Sequence, residues 1–119
     1  MSISSINFEA AYSNAELAEA TNVLRDWLQR HPDLPFFTFD LICRELSDRM
    51  PAEYFNRVLL RLVAAGELKV NYRVKINEGE YSEESYDSLE SIPECVFDSA
   101  FEPVDVDDSA KVPSYAPAK

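Results

Sequence analysis

The run from Pro51 to Ile76, PAEYFNRVLLRLVAAGELKVNYRVKI, restricts the possible folds more than any other part of the chain. Pro51 suits the first turn of a helix, where its missing N–H would have no intrahelical partner, and no Pro or Gly follows until Gly66. The spacing predicts a helix from about Pro51 to Ala65. Phe55, Val58, Leu59, Leu62 and Val63 recur at intervals of three and four and define its core side, with Glu53, Asn56, Arg57 and Arg61 nearer the other. Gly66 is the expected left-handed C-terminal cap. Beyond it the chain alternates strictly, Val70, Tyr72, Val74 and Ile76 against Lys69, Asn71, Arg73 and Lys75, which is the period of a half-buried strand.

Upstream, Ile3, Ile6, Phe8 and Tyr12 suggest a lead-in strand or turn over residues 1–13. Ser13 or Asn14 is placed to cap a helix carrying Leu17, Ala20, Leu24, Trp27 and Leu28, closed by His31 and Pro32. Thr38 is placed to cap a second, short helix through Leu41, Ile42, Cys43 and Leu46, and Ser47–Met50 is a polar turn into the Pro51 helix.

The order of helix, extended piece, helix, turn, helix and strand in FFTFDLICRELSDRMPAEYFNRVLLRLVAAGELKVNYRVKI resembles a winged helix-turn-helix domain, over about Ser13 to Ile76. The resemblance implies a mainly α fold with a small β component, residues 14–90, followed by an extended acidic arm over 91–119. In that family the third helix enters the major groove of DNA and a hairpin wing touches the backbone. By that likeness Glu53, Asn56, Arg57 and Arg61 take the recognition position, and Lys69, Arg73 and Lys75 lie near the wing. The expected wing, NEGEYSEESYDSLE, departs from the pattern: Glu78, Glu80, Glu83, Glu84, Asp87 and Glu90 give it the wrong charge for phosphate, the main source of DNA affinity. Only Tyr81 and Tyr86 suggest a returning strand.

Charge is unevenly placed along the 119 residues: the net value is −11, yet residues 1–76 hold nine Lys or Arg against ten Asp or Glu, while 77–119 hold two against twelve. A field of that sign repels phosphate and favours encounter with a basic surface. The segment IPECVFDSAFEPVDVDDSAKVPSYAPAK is too apolar for a disordered tail, and its four prolines forbid a long helix. Ile92, Val96, Phe97, Phe101, Val104 and Val106 are therefore expected either to lie across their own domain, completing the sheet or covering the helices, or to dock on a partner by adding a strand or filling pockets, with the chain loose from about Ser114.

Catalytic signals are weak. His31 abuts a proline at a helix end, Cys43 lies on an apolar helix side, and Cys95 has acidic neighbours that disfavour a thiolate. Asp105, Asp107 and Asp108 lack the spacing and central Gly of a calcium loop, and two glycines cannot make a phosphate-cradling loop. No cofactor or metal is expected. No apolar run approaches the roughly 18 residues needed to span a bilayer, and a secretory pattern is absent, so a cytoplasmic location and no membrane partner are expected. The leading expectation is a non-enzymatic adaptor or accessory subunit that binds a protein with a basic surface. A DNA-binding regulator using Asn56, Arg57 and Arg61 is the alternative, an acidic DNA mimic the second, and a homodimer through Ile3, Phe8 or the arm remains open.

Overall fold

A computed structural model describes residues 6–77, 79–98 and 100–118, which form two compact units: one of Met1–Lys69 with Tyr115–Lys119, the other of Val70–Ser114. Ile3 and Glu78, named above, lie outside the described residues.

The first unit is helical. Asn7 Oδ1 accepts the Glu9 N–H at 2.9 Å and starts α1 (Glu9–Tyr12), where the sequence suggested only a lead-in. Asn14 then caps a 3-10 turn that leads into α2 (Ala18–Gln29), whose Ala20, Leu24, Trp27 and Leu28 are buried. Phe37 and Thr38 form the two-residue β1, and Thr38 Oγ1 accepts the Leu41 N–H at 3.0 Å to cap α3 (Phe39–Leu46). Helix α4 (Ala52–Ala64) begins directly after Pro51 and packs on α1, α2 and α3. It buries Phe55, Val58, Leu59 and Leu62, each contributing roughly 1.5–3 kcal/mol by leaving water.

Its end is closed by a Schellman motif: the Gly66 N–H bonds Val63 O and the Glu67 N–H bonds Leu62 O, both at 3.0 Å, with Gly66 at φ 78. A Cβ on Gly66 would meet nothing within 4 Å, so the left-handed backbone alone asks for glycine here.

Strand β2 (Leu68–Asn77) follows, as the alternation predicts. The sequence left open whether the last third completes its sheet. Residues 111–117, the end of the expected arm and expected to be loose from about Ser114, form β6 (Lys111–Pro117), and the four-stranded antiparallel sheet has the order β1-β6-β2-β3, with β3 at Glu80–Tyr81. The Ala118 N–H bonds Glu67 O at 3.0 Å and sets the alternation, so the even-numbered residues of β6 face β2. Pro113 and Pro117 have the other parity. Their missing N–H groups cost the β2 ladder nothing, which is how a proline-punctuated segment serves as an inner strand. Within the first unit Tyr115 stacks on Phe37 at 5.7 Å, and Phe37 meets Trp27 edge-on at 6.4 Å.

The second unit is mostly strand and turn. The return from β2 is short: β3 pairs at Lys75↔Tyr81 and Asn77↔Glu80 across an irregular step, the Ser82 N–H then bonds Val74 O at 2.8 Å, and a Tyr72–Tyr86 bridge follows with two bonds of 2.8 Å. A second sheet follows, β4 (Cys95–Phe97) antiparallel to β5 (Pro103–Asp105). Val74, Ile92 and Val96 form its core, with Tyr72, Ile76, Tyr86, Val104, Val106 and Ala110 packed against it.

These observations overturn the mainly α assignment and the arm that went with it. Of the described residues 41% are helical and 25% are in strands, with four α-helices among them. The reason is that the last third folds largely into short strands, β3 to β6, in place of an extended arm. Composition disclosed the apolar content there but not its pairing.

Candidate functional site

The seven residues expected on a partner or DNA face are divided between the two units. Glu53, Asn56, Arg57, Arg61 and Lys69 are exposed in the first unit, and Leu60, also exposed, stands beside them in sequence. Arg57 is drawn off by Glu16, with Nη2 3.3 Å from Oε2. Arg73 and Lys75 belong to the second unit, both half-buried. The Arg73 Nη1 donates at 2.9 Å to the carbonyls of both Ser82 and Glu83, so this guanidinium holds the irregular return of the chain. Burial lowers its pKa from the ordinary value, as expected for a cation tucked beneath a loop.

The six residues of the expected docking segment divide in two. Ile92 and Val96 are buried and Val104 and Val106 half-buried in the core of their own unit. Phe97 and Phe101 are not: they are 64% and 85% exposed. Phe101 also stands at φ 60, in the left-handed region that a bulky side chain rarely enters. The turn enforces this. Asp98 Oδ1 accepts the N–H groups of Ala100 and Glu102 at 2.9 Å each, the Asp98 N–H bonds Glu102 O, and the Phe101 N–H bonds Asp98 O, both at 3.0 Å.

Both aromatics border a cleft of about 450 Å³ that lies wholly within the second unit. Tyr81, Tyr86 and Ile76 supply apolar lining, and Glu80, Glu83, Glu84 and Asp98 supply charge; no Lys or Arg is among the described residues lining it. Ser82, buried at its wall, accepts the Val74 N–H at 3.0 Å and donates to Glu84 O at 2.8 Å, which fixes the acidic stretch to β2. Burial, and secondarily the Glu84 charge, raise the Tyr86 phenol above its ordinary value. This site was only half visible in the sequence. Phe97 and Phe101 were legible as apolar residues without a helix to join, but their exposure is set by the Asp98 turn.

The residues considered for chemistry are placed otherwise. His31 Nδ1 lies 2.8 Å from Trp27 O, and its ring sits against Trp27 at the end of α2. The Cys43 thiol is pushed up by burial first and by Asp40 second, which opposes thiolate formation. Asp107 Oδ1 takes bonds from the Ser109 hydroxyl and the Ala110 N–H, so it caps a 3-10 turn, and these bonds lower its pKa. Among the described residues no group of three or more His, Cys, Asp or Glu could hold a metal ion, and no helix is long and apolar enough to cross a membrane.

No protein-family model matches the chain, and neither a curated protein nor a solved structure matches it.

Proposed function

We propose that this protein is a non-enzymatic interaction module, an adaptor or accessory subunit, whose partner is another protein with a basic contact surface. The observation that carries this is Phe101, 85% exposed and locked at φ 60 on the rim of an acidic cleft. A strained, solvent-facing aromatic is costly in the free protein, and such cost persists where a contact uses it. The charge supports the sign of the partner: the second unit holds twelve Asp or Glu against three Lys or Arg. His31 and Cys43 are occupied in structural roles, in keeping with a module that does no chemistry. Two free thiols, Cys43 and Cys95, suit a cytoplasmic location.

The test is differential capture from native lysate with tagged wild type and a Phe97→Ser, Phe101→Ser double variant. Proteins retained by the wild type and lost by the variant are expected. Identical recoveries would refute the reading, and low-salt DNA binding that depends on Arg57 and Arg61 would replace it with a nucleic-acid one.

A further inference from the structure

We infer that the cleft receives an extended, arginine- or lysine-rich segment of the partner, added as a strand along the open edge of β4. This rests on the interaction reading above and names the occupant. The cleft is lined by β4 but by no residue of β5, and it is lined also by β3, the end strand of its sheet. The Val106 N–H bonds Glu94 O at 2.9 Å and the Asp98 N–H bonds Glu102 O at 3.0 Å, so the even-numbered residues of this hairpin exchange bonds with β5. The backbone groups of Cys95 and Phe97 therefore face the edge that carries no strand among the described residues. An unpaired edge is a template for an extended chain, and peptide recognition by strand addition takes its affinity from such backbone bonds.

Side chains then select the occupant. Among the lining residues Glu83 and Glu84 are exposed, while Phe97 and Phe101 offer aromatic faces on which a guanidinium can lie. A second copy of this chain is a poor occupant, because the unit's balance of twelve acids against three bases would set like charge against like. Nucleic acid and anionic lipid are disfavoured by the same field.

The experiment uses the full chain and fluorescently labelled short peptides at low salt. One alternates arginine with valine, one carries the same residues with the edge-facing amides N-methylated, and one replaces arginine by glutamate. The expected result is binding of the first and marked weakening of the second, with no binding of the third. A Glu83→Gln, Glu84→Gln variant should bind the first about fivefold more weakly, the scale of two exposed ion pairs. Equal binding of the N-methylated peptide would overturn strand addition, and binding of the glutamate peptide would overturn the charge argument. Failure of the arginine peptide, with Phe101-dependent capture of a partner intact, would overturn this inference and leave the interaction reading standing. Failure of both would end both.

Discussion

Phe101 stands at φ 60 with 85% of its surface in water, so the left-handed backbone there costs stability that its own burial does not return. Phe101→Gly isolates this. Relief of the backbone strain is worth about 1–2 kcal/mol for a residue that has a Cβ. Against it stands the extra freedom that glycine gives the unfolded chain, about 0.5–1 kcal/mol. The net expectation is a gain of about 0.5–1 kcal/mol, whereas Phe101→Ala keeps the strained backbone and should leave stability near the wild-type value. In urea, with a slope of about 1–3 kcal/mol per molar, the glycine variant should move the midpoint up by roughly 0.2–1 M. The same variant should lose the partner contact, so stability and binding move in opposite directions. A glycine variant less stable than wild type by about 1 kcal/mol or more would refute the reasoning, since Phe101 would then be packing within its own unit.

Three further outcomes follow from single contacts. Thr38→Ala removes the buried hydroxyl that holds the Leu41 N–H and should lower stability by about 1–2 kcal/mol in thermal or urea unfolding, whereas Thr38→Ser should restore most of it. Arg73→Ala should cost about 1.5–3 kcal/mol, because two carbonyls lose a charged donor, while Arg57→Ala, which breaks an exposed pair with Glu16, should cost under about 1 kcal/mol; equal effects would contradict the assignment of Arg73 to an internal role. Because the folded state raises the Tyr86 pKa, it favours the neutral phenol. That contribution is complete below the unfolded value of about 10 and is lost as pH rises through the folded one, so phenolate absorbance should show a late-titrating component that disappears in Tyr86→Phe.

Local order was largely legible. Pro51, the apolar spacing through Leu62 and the lone Gly66 located α4 and its cap, and the alternation from Lys69 to Ile76 located β2. Leu17, Ala20, Leu24, Trp27 and Leu28 were read as one helix side and are all buried. The start of the chain was less clear, because α1 has one turn and depends on an Asn7 side-chain bond rather than on periodicity. Phe8, considered for a dimer contact, is buried within its own chain.

Helices and the strand after Gly66 were within reach of the sequence because their hydrogen bonds, or their two-faced pattern, are written in residues a few positions apart. The partner of β2 was not, because a strand completes its bonding with whichever segment arrives alongside, and β6 comes from more than thirty residues downstream of β2 in the order of strands. Its prolines argued only against a long helix, and the register places the nitrogens of Pro113 and Pro117 on the side away from β2. Sequence likewise determined that the last third would be acidic and apolar at once. Only the tertiary structure decided which apolar residues went into the core, Ile92 and Val96, and which were left in water, Phe97 and Phe101, because that choice follows from the β4–β5 register and the Asp98 turn.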